Sequence, residues 1–155
     1  MPQPTDPLIA FTDPADPTGP VRLVYPAPNS PLDLAELAAR TVPEGANTAV
    51  LSRGDLPGDR LFREAWRLNG RTIGTYLPAA RTLWKNVWRT HRATLFPALD
   101  AAWMKATATG DVVEAQRLEG LRQQLRDVTQ TDLNGAVTPQ GIKAVWPPIL
   151  DTAHP

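Results

Sequence analysis

Residues 79 to 128 read AARTLWKNVWRTHRATLFPALDAAWMKATATGDVVEAQRLEGLRQQLRDV, and this stretch decides the fold. Ala80, Leu83, Trp84, Val87, Trp88, His91, Leu95, Leu99, Ala102, Trp103 and Ala106 recur at three- and four-residue steps, which places them on one stripe of a helix. Val112, Ala115, Leu118, Leu121, Leu125 and Val128 repeat the pattern. Between the two runs lie Thr109, Gly110 and Asp111. Gly110 offers the permissive backbone of a tight helix exit, and Asp111 with Glu114 three residues later has the form of a capping box. The spacing therefore predicts two amphipathic helices folded back on each other. Pro97, which lacks a backbone donor, predicts a kink or break near Thr94 to Phe96 in the first of them.

Upstream, Asn69-Gly70 predicts a type I′ turn between Phe62–Leu68 and Arg71–Tyr76, so a β-hairpin feeds directly into the long helix at Pro78. Thr48 to Ser52 is β-branched and apolar enough for a strand. Before it, Asn29 or Ser30 caps a short helix with Pro31 in its first turn, and Thr41, Val42 and Pro43 end it. Residues 1 to 31 hold nine of the seventeen prolines, a density that forbids helix. Two apolar runs survive there, Leu8–Phe11 and Val21–Tyr25, and they read either as a β-hairpin with a long loop or as an extended arm. Downstream, Thr131 to Val137 is a polar loop, Thr138-Pro139 opens a short helix through Val145, and Trp146 to Leu150 forms an extended apolar tail.

The fold class read from this order is α+β: a small β-containing N-terminal region of hairpins plus a short helix, then a long kinked helix and an antiparallel helical hairpin. The segments are 1–31, a proline-rich arm or irregular hairpin; 32–77, a small α/β region ending in a β-hairpin; 78–130, the helical hairpin; and 131–155, a short helix and tail.

With 155 residues the chain suits one main domain. The absence of cysteine excludes a disulfide framework, a thiol nucleophile and thiolate metal sites, and it fits a reducing cytoplasm. No apolar run reaches membrane-spanning length, and Met1 to Pro7 has no basic residue, unlike a signal peptide. The expectation is no membrane partner. Net charge is zero, but residues 1 to 50 carry six acids against Arg22 and Arg40, leaving fourteen of sixteen bases to the remainder. A neutral total makes nucleic acid an unlikely partner, because phosphate contacts call for a basic surplus.

Chemistry-bearing residues are sparse. His91 and His154 are the only histidines, so a histidine metal site is not expected. Asp55 and Asp59, or Asp100 with His91, would be acid–base pairs by proximity alone, and nine helical residues separate the latter pair by about 13.5 Å of rise. Ser30 and Ser52 sit in no nucleophile elbow. The glycines lack a phosphate-cradling context. The expectation is a protein that is not an enzyme and takes no cofactor. Five tryptophans serve foremost as core, with Trp88 and Trp146 as candidate interface anchors. Arg81, Lys85, Arg89 and Arg92 form a basic stripe beside the apolar one; a solvated helix face is the commoner role of such a stripe, and a surface for an acidic partner the functional one.

From Arg89 to Leu150 the chain resembles the carboxy-terminal part of phage and prophage tail assembly chaperones, also called tail-fibre assembly proteins. The resemblance is carried by Arg92, Leu95, Leu99 and Asp100, then Gly110, then Arg122-Gln123-Gln124-Leu125-Arg126-Asp127, and finally Trp146-Pro147. Asp59-Arg60-Leu61-Phe62-Arg63-Glu64-Ala65-Trp66 is similar to a segment of prophage proteins with a hairpin before the helices. The resemblance implies a non-enzymatic morphogenesis protein that binds a tail or tail-fibre polypeptide in the host cytoplasm, with Arg122, Arg126 and Asp127 as structural ion-pair cluster or as partner contacts. The alternatives are a structural component retained in the virion, such as a tail-tip or fibre adaptor, and, behind it, a nucleic-acid-binding regulator.

Overall fold

Leu8, Ile9, Ala10 and Phe11 are all buried, and an unbroken apolar run of this kind marks a strand covered on both faces. The computed structural model, which describes residues 3 and 5–155, places them in β1 (Pro7–Thr12), the centre of a three-stranded antiparallel sheet. Met1, Pro2 and Pro4 of the proline-rich segment lie outside the described residues. The chain divides into two compact units, Met1–Ala80 and Arg81–Pro155.

In the first unit β1 pairs on one side with β2 (Arg22–Val24), Ile9 opposite Val24 and Phe11 opposite Arg22. The run from Leu8 to Tyr25 is thus a hairpin with a long loop. A helix, α1 (Leu34–Thr41), lies against β1 and leads to β3 (Asn47–Ser52), which pairs with the other side of β1 from Pro7–Ser52 to Thr12–Asn47. The cap of α1 is Asp33, not Asn29 or Ser30. Its carboxylate accepts from Glu36 N–H at 2.8 Å while Glu36 Oε2 accepts from Asp33 N–H at 3.2 Å, a complete capping box. Asn29 instead takes a positive φ of 62°, and Ser30 Oγ accepts from Leu32 N–H. Val42, held extended before Pro43, ends the helix.

Residues 53–55 and 60–65 form short 3-10 turns. Phe62 to Ala65 are therefore not strand, as the alternation of that segment had suggested; Asp59 accepts from Leu61 N–H at 3.0 Å and nucleates the turn, which buries both Phe62 and Ala65. The hairpin is β4 (Trp66–Asn69) and β5 (Thr72–Thr75). Its loop is Gly70-Arg71, one residue beyond the expected pair, with the positive φ of 60° on Gly70 alone. Glycine at the first central position followed by ordinary φ is the type II′ pattern, and it sets Leu68 opposite Ile73. Both pack on a core formed by Leu8, Ala10, Val21, Ala49, Leu51 and Trp66.

A 33-residue helix, α2 (Leu77–Thr109), follows and runs unbroken through Pro97. Pro97 and Ala93, whose carbonyl loses its i+4 donor, are both exposed, so the defect sits on the solvated side of the helix. In the second unit α2 is followed by α3 (Val112–Asp127), a 3-10 turn over 128–130, α4 (Pro139–Ala144) and α5 (Ile149–Thr152). Thr138 caps α4, accepting from Gly141 N–H at 3.0 Å with Pro139 in the first turn. The tail expected to be extended over Trp146 to Leu150 closes into α5, a single turn with Leu150 buried. Among the described residues no helix is long and apolar enough to cross a membrane.

Candidate partner-binding surface

The α2 stripe read from the sequence is buried or half-buried at every position. Leu118 and Leu125 of α3 are fully buried, and Val128 nearly so. Val112 is the exception, 63% exposed. It follows directly on the turn, which has the geometry of a Schellman motif: Gly110 at φ +73°, its N–H on Thr107 O (3.2 Å) and Asp111 N–H on Ala106 O (2.9 Å). Asp111 at once caps α3, accepting from Glu114 N–H at 3.1 Å. Glu114 does not close the capping box. Its carboxylate is drawn to Arg117 at 2.6 Å, and that bond lowers the Glu114 pKa and raises that of Arg117.

At this end of the hairpin a recess of about 270 Å³ opens, lined by Trp103, Ala106, Gly110, Val112, Ala115 and Glu119 among others. Val112, in its lining, is 63% exposed, and Met104 and Val113, next in sequence to lining residues, are exposed by 59% and 80%. Sequence reasoning passed over Met104 and Val113. The signal was present: two valines directly after a helix cap cannot both join a stripe that begins with the next turn.

The residues singled out beforehand go elsewhere. Trp88 is completely buried, so it is core and not a surface anchor; its indole N–H has no hydrogen-bond partner among the described residues. Trp146 is half-buried and engaged within its own unit, its ring 5.9 Å from Trp84 and 5.3 Å from His91, its N–H donating to Asp151 at 3.0 Å. Trp84 donates to Val145 O at 2.8 Å. These contacts fasten the C-terminal segment to α2. The basic stripe is not a continuous free face either. Arg81 donates to the carbonyls of Asn134 and Ala136, and Arg92 to those of Leu125 (3.1 Å) and Arg126 (2.8 Å), where its charge meets the negative end of α3. Arg89 reaches Asn86, and Lys85 is half-buried.

Arg122 and Arg126 form ion pairs, one of the two roles expected of the block, whereas Asp127 is held by glutamine amides and not by a base. Arg122, with its side chain 17% exposed, bonds Asp100 at 2.7 Å and Glu119, and its guanidinium lies 4.6 Å from the Trp103 ring centroid. Arg126 bonds Glu119 (2.8 Å) and Gln123 (3.1 Å), and Asp127 accepts from Gln123 and Gln130. The hydrogen bond from Arg126, against a smaller opposing effect of burial and with help from both arginine charges, holds the Glu119 carboxyl below its ordinary range. Through Arg122 the network also holds Trp103, which lines the recess, by a cation–π contact.

No family model, curated protein or solved structure matches this chain. Among the described residues no group of three or more histidines or carboxylates converges as a metal site would require. A cleft of about 490 Å³ in the first unit is lined by Asp13, Asp16, Arg22, Arg63 and Glu64, with Asp13 and Arg22 paired at 3.1 Å. Its charges nearly balance, whereas the recess at the hairpin end has a mainly apolar lining that includes the exposed Val112.

Proposed function

We propose that this chain is a non-enzymatic bacteriophage morphogenesis protein of the tail assembly chaperone kind, which captures a tail or tail-fibre polypeptide on the apolar end of its helical hairpin. The observation that carries the reading is the apolar recess lined by Trp103, Ala106, Val112 and Ala115, with Val112 63% exposed. A half-buried tryptophan in the wall of an apolar recess is the kind of surface on which interface hot spots form. Fibrous tail proteins expose strand edges and apolar faces until they associate, so a factor that shields them must present apolar surface of its own. Arg122, in the block that carries the resemblance, then acts by holding Trp103 in place.

The test is co-expression with the tail and tail-fibre polypeptides of the same genome, followed by pull-down. Wild type is expected to retain one of them, and Val112→Asp, in the recess lining and largely exposed, to lose it at an unchanged melting temperature. Equal capture by that variant would refute the site. A transient chaperone is absent from purified particles; stoichiometric recovery there by mass spectrometry would replace the chaperone with a virion component.

A further inference from the structure

Among the described residues no strand pairs with the outer edge of β3, and the hydrogen-bond parity of the sheet says which groups it offers. Arg53 N–H donates to Asp6 O at 3.0 Å, one step beyond the Pro7–Ser52 pair. Bonded pairs alternate along an antiparallel ladder, so Leu8–Leu51, Ala10–Ala49 and Thr12–Asn47 exchange hydrogen bonds, and the backbone groups of Thr48, Val50 and Ser52 point away from β1. Two contacts agree with this parity. Ser52 N–H is held from outside the ladder by Asp55 Oδ2 at 2.8 Å, and on the far strand Val21 N–H turns outward to Trp66 O at 3.0 Å. Among the described residues the amides and carbonyls of Thr48 and Val50 have no backbone partner.

Edge strands normally carry a defence against pairing with another chain: shortness, charge, proline or a covering segment. The β2 edge has these, with three residues, Arg22, flanking Pro20 and Pro26, and the Trp66 carbonyl over Val21. Strand β3 has none. Asn47-Thr48-Ala49-Val50-Leu51-Ser52 contains no charge, proline or glycine, and Val50 at its middle is 48% exposed.

We infer that β3 is a self-association edge, pairing antiparallel with β3 of a second copy about a two-fold axis at Val50. The free groups are self-complementary in that arrangement. Val50 exchanges both hydrogen bonds with Val50 of the second copy, and each Thr48 N–H meets a Ser52 carbonyl, four bonds in all without disturbing Asp55. The paired exposed valines bury each other on one face. An uncharged strand on a chain of zero net charge brings no like-charge repulsion to the encounter. Two three-stranded sheets become one of six strands.

Analytical ultracentrifugation of the full chain over a wide concentration range should show reversible doubling of mass. Val50→Lys places like charges across the two-fold and should weaken the dimer by at least about tenfold, while Leu61→Lys, at an exposed apolar site in the 60–65 turn and not on β3, should leave it intact. Hydrogen exchange supplies a reading that needs no variant: the Thr48 and Val50 amides should be protected at high concentration and exchange freely on dilution. A wild-type chain that stays monomeric, a dimer indifferent to Val50→Lys but broken by Val113→Asp, or concentration-independent exchange at Thr48 and Val50 would each overturn the inference. Loss of the dimer through Val113→Asp would place self-association on α3 instead; the other outcomes leave the recess at the hairpin end untouched.

Discussion

Replacing Trp88 by alanine tests whether this residue is core or contact. The side chain has no exposed surface, and its N–H forms no hydrogen bond among the described residues, so the whole of its contribution is apolar burial and packing. Truncating a buried aromatic to alanine costs about 3–5 kcal/mol. For a chain of this size each kcal/mol shifts the melting midpoint by about 2–4 °C, which predicts a fall of about 6–20 °C. Trp88→Phe keeps most of the volume and removes an unpaired buried donor, whose burial costs about 1–3 kcal/mol; it should recover most of the loss. Trp146→Ala gives the scale at a half-buried position and should cost about 2 kcal/mol, including the bond to Asp151. Differential scanning calorimetry on the three variants reads all of this directly. A Trp88→Ala protein that melts like wild type yet fails to hold its partner would refute the reasoning, and so would a phenylalanine variant as unstable as the alanine one.

Gly110→Ala should cost about 1 kcal/mol in denaturant unfolding. A Cβ there meets nothing within 4 Å, so the cost is that of the positive φ alone, and Gly110→Asn should cost less. If alanine proves neutral, the turn is not held in that conformation. The Glu119 carboxyl has a folded pKa below its ordinary 4.5, mainly through Arg126. The stability it lends is complete above that ordinary value and is lost as the pH falls through the lower folded one. Arg126→Met should raise the Glu119 midpoint in an NMR titration; an unmoved midpoint would deny the bond.

Periodicity made the helical hairpin legible before any coordinates, because eleven apolar or half-apolar positions from Ala80 to Ala106 fit only one helical phase. Asp111 and Thr138-Pro139 were legible as caps for the same local reason, since a cap depends on residues within one turn of it. The cap of α1 was misread where two local signals compete, Asn29-Ser30-Pro31 and Asp33 with Glu36, and the reciprocal bonds of the second prevail. The β-hairpin was legible as an element but not in register, because Gly70, and not Asn69, takes the left-handed position. Side-chain destinations were the least legible. Arg81 and Arg92 end on main-chain carbonyls 55 and 33 residues away, and a carbonyl belongs to every residue alike, so nothing in the sequence marks it as the acceptor. The apolar recess escaped because exposure at a helix end depends on where the partner helix stops, which the stripe alone does not encode.

Asp111 serves both helices: its amide closes the end of α2 and its carboxylate opens α3. No residue in this turn is spare. One added residue would rotate α3 by about 100° about its axis relative to α2, turning Leu118 and Leu125 away from the interior and carrying Glu119 out of reach of its present setting. The connection therefore behaves as a fixed gear between two shafts, and the length of this corner is as much a determinant of the hairpin as the apolar residues it aligns.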